Sequence, residues 1–190
     1  MRTVGRKAAV AACSLAIAGL GVGVLGACSS GSSGGSGSQV SSNPMANNQQ
    51  DSIFANQTIS LNEQLVSLTD ILTAKTDDEA TATALEGLGR TANERIVLAN
   101  GWLISWGRSN SEAPDPPGML TGRQIEAITV ANGQKLQTLV SQAVEEHLAG
   151  VIAVSDAELA DGVNPAAREF AEKLKADAEA ELAPMLAVTS

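Results

Sequence analysis

The stretch Phe54 to Leu72, FANQTISLNEQLVSLTDIL, places Thr58 or a large apolar residue at every third or fourth position. This spacing puts those side chains on one face of an α-helix, in the pattern of a helix-bundle seam. No window of the chain shows the sustained alternation with β-branched residues that indicates strands. The stretch therefore predicts a helix that packs against other helices. Its buried face consists of Phe54, Thr58, Leu61, Leu65, Leu68 and Leu72.

A second helix is predicted to begin at Thr76, because Thr76-Asp-Asp-Glu79 has the form of a capping box. In this motif the threonine hydroxyl accepts a hydrogen bond from a first-turn amide, and the Glu79 side chain reaches back to the backbone amide of the threonine. Gly107 and the proline-rich segment 110–118 are expected to end the helix. Its apolar stripe consists of Leu85, Leu88, Ala92, Ile96, Ala99, Leu103 and Trp106.

A third helix is predicted to begin at Thr121, which forms a capping box with Gln124. This helix is predicted to continue past Asn132-Gly133. The fourth begins at Asn164, an N-cap followed by proline, and Pro184 is expected to kink or fray its end. Residues 48–190 are therefore predicted to form one all-α domain, an antiparallel four-helix bundle with short loops. The apolar series are Ile125, Ile128, Leu136, Val140, Ala143, His147 and Val151, then Phe170, Leu174, Leu182, Met185 and Leu186.

The two helix pairs of this bundle look related to each other. A shift of about 86 residues aligns similar positions of the first and third helices, and one further loop residue aligns the second with the fourth. The interpretation is a duplicated helix pair. The aligned positions are Ile53-Phe54 with Leu139-Val140, Leu61 with His147, Leu65 with Val151, and Glu94 with Glu181.

Residues 1–27 have the form of a secretory signal, with basic Arg2, Arg6 and Lys7 followed by an apolar run. The run ends in Leu25-Gly-Ala-Cys28, which resembles the bacterial lipobox, whose cysteine becomes the lipidated first residue of the mature chain. A plain signal peptide or a transmembrane anchor is the alternative. Four glycines between positions 19 and 26 make the run a poor permanent helix.

Residues 28–47 are rich in Gly and Ser and are predicted to be a flexible, lipid-anchored tether. Cys13 lies in the signal peptide, which is removed. Cys28 is expected to be acylated by palmitate or similar chains, so no thiol remains for a disulfide or a metal site. The acyl chains are expected to hold the domain on the extracytoplasmic side of the bacterial cell membrane.

The mature chain is strongly acidic. Removing the three basic signal residues leaves 9 Lys and Arg against 21 Asp and Glu, a net charge of −12. Such a surface repels phosphate groups. We therefore expect no nucleic-acid partner, and attachment to the membrane only through the lipid.

The domain resembles the domain of unknown function 305 family, whose members are secreted or lipid-anchored helical proteins with a ferritin-like, duplicated helix-pair layout. Two segments carry most of the resemblance, PPGMLTGRQIEAITVANG at 116–133 and GVNPAAREFAEKLKADAEAELAPML at 162–186. Residues 51–65 and 93–107 also look like family segments. The resemblance implies a ferritin-like fold over residues 48–186.

The resemblance also implies a metal site, with copper as the usual suggestion, because family members carry a His-His pair in the first helix of each half. Here the first pair falls on Leu61 and Asn62, and the second on His147 with Leu148 or Glu146. Copper(I) prefers a convergent set of imidazole and thioether ligands. The only remaining candidates are His147, Met185, Glu94 and Glu181, so no metal or cofactor is predicted.

His147, the only histidine, lies on the apolar stripe of the third helix. A packed imidazole with a hydrogen-bond partner such as Glu181 is the favoured interpretation; a partial metal site or another ligand role is the alternative. No Glu-x-x-His pair for a di-iron site and no Gly-x-Ser-x-Gly elbow are present. Trp102 and Trp106 are interpreted as packing residues.

The sequence thus predicts a cell-envelope lipoprotein rather than an enzyme. Its helical domain is expected to bind an unknown protein or small ligand without catalysis. A protein that binds or handles extracytoplasmic copper is the alternative. The one predicted functional residue is Cys28, as the lipidation site.

Overall fold

The structure is a computed structural model that describes residues 43, 45–108 and 113–188. This part of the chain contains α-helices and no strands, which confirms the predicted all-α class. None of the described helices has both the length and the apolarity to cross a bilayer. The helices are α1 (Gln49–Thr73), α2 (Glu79–Ser105), α3 (Gly122–Val130), α4 (Gly133–Asp161) and α5 (Pro165–Ala187).

The four long helices pack as two antiparallel pairs, α1 with α2 and α4 with α5. In the first pair Ile59 packs near Leu103, and Thr69 lies against Gly89, so the two helices run in opposite directions. In the second pair Asp156 of α4 binds Lys175 of α5. This layout is compatible with the predicted duplicated bundle.

The core lies between these two pairs. It is built from the stripes that the sequence predicts, because each long helix turns its apolar face inward. The most deeply buried large side chains include Phe54, Leu61, Leu65, Leu68, Leu72, Leu85, Ile128, Val140 and Met185.

Four of the five described helices begin at a side-chain cap, as predicted at Thr121 and Asn164. The Thr121–Gln124 capping box is complete, and the Asn164 side chain accepts from the Ala167 amide at 3.1 Å, with Pro165 in the first helical position. The capping box predicted from Thr76 to Glu79 is wrong. Asp78 is the N-cap of α2 instead, because its carboxylate reaches the amide of Thr81.

The predicted third helix is divided into α3 and α4. Ala131 and Asn132 are extended, and Gly133 has a φ of 56°, in the left-handed region that favours glycine. The chain therefore bends between the two helices. Lys75, which follows α1, caps the bend by donating to the Ala131 carbonyl at 2.9 Å.

At the end of the chain, α5 continues past Pro184 to Ala187. The proline removes one backbone hydrogen bond but lies within one turn of the helix end, where few bonds depend on it. It does not end the helix.

The linker from α2 to α3 is held against α1 and α4. Gln57 donates to the Pro114 carbonyl at 3.1 Å, and Gln64 binds the backbone of Leu120. Gly118 has a φ of 79° and touches Gly150 of α4 so closely that a side chain on either residue would collide with backbone atoms. The linker therefore requires glycine on both sides of this crossing.

The carboxylate of Asp51 holds together the end of the bundle where α1 begins, next to a second buried acid. The carboxylate of Asp51 accepts from the amides of Asn48, Val163 and Asn164, at 2.5, 3.0 and 2.8 Å. Glu158 of α4 lies beside it and is fully buried. This cluster joins the start of α1 to the turn between α4 and α5.

The predicted signal peptide (1–27) and Cys28 lie outside the described residues, as does most of the predicted tether (28–47). The domain predicted for residues 48–190 contains all five helices, and Asn48 is the N-cap of α1.

Candidate functional site

The most promising site is an open groove of about 330 Å³ between α2 and α5. Its walls carry a continuous apolar strip formed by Leu98, Phe170 and Leu174. Charged side chains line the rest of the groove. They are Glu94, Arg95, Lys173 and Glu181, with Thr91 at one end.

Arg95 and Glu181 form an ion pair that joins the two walls. Their side chains are 13% and 26% exposed, so water screens this pair less than a surface pair. The pair holds α2 and α5 in register, because each partner projects from one helix toward the other.

Lys173 lies on the α5 side of the groove, and its side chain is 72% exposed. It pairs with Asp177 one turn further along the helix, and this contact raises the pKa of the lysine above its usual value. An exposed pair of this kind contributes little to stability, because water and salt screen it. The ammonium group is therefore available to a ligand at little cost.

Phe170, which lines the groove, belongs to an aromatic cluster with two tryptophans. The Phe170 ring meets Trp102 edge to face, with centroids 5.5 Å apart, and Trp102 stacks on Trp106 at 6.0 Å. The tryptophans pack at one end of the bundle, as the sequence interpretation has them. They also place a fluorescent side chain next to the groove wall.

His147 lies behind the groove, in a cavity of only about 10 Å³ that it shares with Arg95 and Glu181. The residue is 3% exposed, and its Nδ1 has no hydrogen-bond partner in the described part of the protein. Burial, together with the positive charge of Arg95, lowers the pKa of His147 to about 4. The imidazole is therefore neutral at pH 7. Glu181, the partner suggested from the sequence, binds Arg95 instead.

Residues 51–189 match the family model of the domain of unknown function 305, DUF305. The chain belongs to this family. The resemblance read from the linker and the last helix is thereby confirmed.

Two crystal structures of DUF305 proteins share this fold, each with a TM-score of 0.64. One is a Streptomyces coelicolor protein assigned as secreted, with 21% sequence identity over 72% of this chain and 89% of that chain. The other is a fragment from Deinococcus radiodurans, with 15% identity over 75% of this chain and 97% of that chain. No curated protein sequence matches the chain significantly.

The DUF305 resemblance implies a copper site, and the residues of this chain do not fit one. His147 and Glu181 line the same small cavity, but the Arg95 guanidinium lies there too and occupies the Glu181 carboxylate. A fixed positive charge at this point opposes a metal cation. A cavity near 10 Å³ also has no room for more than about one water molecule.

The remaining candidate ligands are spread over the domain. Met185 is buried in the cluster around Leu68 and Ile128, whereas Glu94 lines the outer groove. Leu61 and Asn62, at the positions of the other histidine pair, are buried in the core. Within residues 43, 45–108 and 113–188, no three His, Cys, Asp or Glu side chains are grouped so that they could hold a metal ion.

Sequence reasoning missed the role of Arg95 and Lys173 in this DUF305 domain. Neither residue belongs to a motif, and the ion pair between Arg95 and Glu181 spans 86 positions of sequence. It arises because antiparallel packing of α2 on α5 brings the two side chains together. The offset that aligns Glu94 with Glu181 was the one signal that placed Glu181 near this part of α2.

Proposed function

We propose that this protein is a bacterial cell-envelope lipoprotein whose helical domain binds a small organic molecule without catalysing a reaction. The carrying observation is the groove between α2 and α5, where an apolar strip adjoins an exposed lysine. A binding pocket of this kind combines apolar walls with a few polar groups that orient the ligand. The predicted lipid at Cys28 would keep the domain at the membrane surface.

The groove best suits a molecule with an apolar body and one acidic group. The apolar body would lie on Leu98, Phe170 and Leu174, which line the groove together. The acidic group would bind Lys173, because the other basic side chain of the groove, Arg95, already pairs with Glu181. Release of Lys173 from Asp177 costs little, as both side chains are at the surface.

The non-catalytic assignment is supported by the surroundings of His147. A general base must reach the group from which it takes a proton, but this imidazole is buried and the small cavity beside it contains no serine, threonine or cysteine. Binding of copper is disfavoured by Arg95, for the electrostatic reason given above. The secreted assignment of the Streptomyces coelicolor relative supports an extracytoplasmic location.

The groove can be tested with the fluorescent probe 1-anilinonaphthalene-8-sulfonate, an aromatic body with one sulfonate. Bound in the groove, the probe would accept excitation energy from Trp102, which touches Phe170. We expect saturable energy transfer in the native protein and weaker binding in Lys173→Glu. The matched control is Lys175→Glu, because Lys175 is also exposed on α5 and also pairs with one aspartate, but lies outside the groove.

Loss of binding in Lys173→Glu, with binding retained in Lys175→Glu, would support the assignment. No saturable binding to the native protein, or an equal loss in both lysine variants, would contradict it. An equal loss would mean that only the overall charge of the domain matters.

A further inference from the structure

The outward face of α2 carries an apolar patch that no other described element covers. Val97 is 71% exposed and Ile104 is 79% exposed, with Leu98 beside them at 41%. These are three of the six large hydrophobic residues that are exposed in the described part of the chain. Clustering of half of them within eight residues of one helix indicates an interaction surface.

Gly101 lies at the centre of this patch. A Cβ built on Gly101 would meet no atom within 4 Å, so nothing within the described chain requires glycine here. Glycine in the middle of a helix costs about 1 kcal/mol relative to alanine. Its physical benefit is that another helix backbone can approach closely at this point.

Opposite charges flank the patch at equal distances from Gly101 in the sequence. Glu94 precedes Gly101 by seven residues, and Arg108 follows it by seven. With the helical rise, Glu94 lies about 10 Å from the glycine along the helix axis. Arg108 lies beyond the other end of the patch, in the turn that follows α2. The position of Arg108 is fixed by the turn that ends α2, in which Gly107 has a φ of 65° and the Arg108 amide binds the Leu103 carbonyl at 2.9 Å.

We propose that this face of α2 is a self-association surface, on which two copies of the chain pack antiparallel with Gly101 on the two-fold axis. A two-fold axis at Gly101 brings Glu94 of each copy to Arg108 of the other. It also brings Ile104 of each copy to Leu98 of the other. Both contacts then occur twice, as a closed symmetric dimer requires.

The pattern of charges favours this arrangement over other occupants of the face. A parallel pair of helices would set Glu94 against Glu94 and Arg108 against Arg108, which repels at both ends. An anionic lipid surface would meet the Glu94 carboxylate in a strongly acidic chain. Of these three arrangements, only the antiparallel pair joins unlike charges at both ends.

A patch confined to one helix of each copy is small compared with the roughly 1,200–2,000 Å² that stable interfaces bury. The dimer is therefore weak, and a shared membrane surface would favour it by raising the local concentration. The surface shares Leu98 and Glu94 with the groove but does not include Lys173 or Phe170, the residues proposed to bind the acidic group and the apolar body of the ligand. This inference therefore stands or falls independently of the proposed ligand.

The first test uses the full chain in its native membrane. Gly101→Cys places a thiol on the proposed axis, and mild oxidation should then link two copies. The controls are the unmodified chain and Val130→Cys, because Val130 is an exposed apolar residue on α3, away from the patch. We expect a covalent dimer from Gly101→Cys well above both controls. A yield no higher than that of Val130→Cys would overturn the proposal. Lipid or another protein covering the face would give this result.

The second test fixes the orientation of the two helices. In the Gly101→Cys background, Glu94→Arg and Arg108→Glu should each lower the yield of linked dimer by about five-fold or more, because each change replaces both symmetry-related ion pairs with like-charge pairs. The two changes together should restore it, because the unlike charges are exchanged between the same positions. If the double variant is as weak as the singles, or the single changes have no effect, the antiparallel arrangement is wrong.

Discussion

Gln64 on α1 binds both backbone polar groups of Leu120, the residue before the N-cap of α3. The Leu120 amide donates to Gln64 Oε1 at 2.8 Å, and Gln64 Nε2 donates to the Leu120 carbonyl at 2.9 Å. Both bonds are buried. One side chain thus provides for the linker the two hydrogen bonds that a neighbouring strand would provide in a sheet.

Gln64→Ala should lower the free energy of unfolding by about 2–3 kcal/mol, because two buried backbone groups lose their partners. The comparison is Gln57→Ala, which removes the single bond to the Pro114 carbonyl and should cost about 1 kcal/mol. Urea denaturation measures both. Equal effects of the two substitutions would show that Gln64 is not the principal attachment of the linker.

Gly150→Ala should be strongly destabilising, by roughly 2–4 kcal/mol, because its Cβ would lie 2.3 Å from the Pro117 carbonyl oxygen. The matched control is Gly87→Ala in α2, where the added Cβ would make only an ordinary contact at 3.8 Å. That control should gain stability by about 0.5–1 kcal/mol from its helix propensity. Thermal melting of the two variants should therefore shift in opposite directions, and loss of stability in both would remove the steric explanation.

Glu158 should make the domain less stable at alkaline pH. Burial, and the neighbouring Asp51 carboxyl, raise the pKa of Glu158 to about 9, so the folded protein holds a proton that the unfolded chain loses above about pH 4.5. This stabilisation is complete below pH 4.5 and is lost as the pH rises toward 9, by up to about 1.4 kcal/mol per pH unit. Glu158→Gln keeps a neutral group that can donate to Asp51 and should abolish this decline. An unchanged slope between pH 6.5 and 9 would show that Glu158 is ionised in the folded protein.

His147 should have the opposite effect, at acidic pH. Its folded pKa of about 4 lies below the ordinary value of 6.5, so its stabilisation is present above pH 6.5 and is lost as the pH falls toward 4. As the pH of the native protein falls from about 6.5 to 4.5, the stability lost through His147 is offset by the stability gained through Glu158. His147→Leu should remove the acidic loss, and at pH 7 the stability should stay equal or rise by about 1 kcal/mol, because Nδ1 has no partner.

The pH profiles of both variants can be measured by denaturant titration at pH 5, 6.5 and 8. Between pH 6.5 and 5 the stability of His147→Leu should rise, because only the Glu158 effect remains, whereas that of the native protein should stay level. The same pH dependence in both proteins would exclude the imidazole as the cause. A loss of several kcal/mol at pH 7 would show that the imidazole makes a polar contact that Leu cannot replace.

Cys28→Ala should leave an unacylated precursor, since the thiol is the group that receives the lipid. The check is mass spectrometry of the N-terminus of the mature protein. We expect acyl chains on Cys28 in the native protein and an uncleaved, unacylated chain in the variant. A native protein that begins elsewhere and carries no acyl mass would contradict the lipoprotein assignment without affecting the groove.

The sequence alone sufficed for the helical class, for two of the three caps that it predicts and for the family. Apolar side chains at three- and four-residue spacing can be buried only on a helix face, so Leu61, Leu65 and Val140 predict both helix and core. The N-caps at Thr121 and Asn164 were also predictable, because each cap depends only on residues three positions apart in the sequence. Where two local signals compete, as at Thr76 and Asp78, sequence reasoning chose the wrong cap.

The division of the third helix, the attachment of the linker and the groove were decided by tertiary structure. The Gln64–Leu120 bonds, the contact of Gly118 with Gly150 and the Arg95–Glu181 pair each join residues far apart in sequence. Such contacts depend on how whole helices cross, which no local spacing encodes. For His147 the stripe predicts the burial that is the main cause of its lowered pKa, whereas the further effect of Arg95 comes from another helix and exists only in the folded domain.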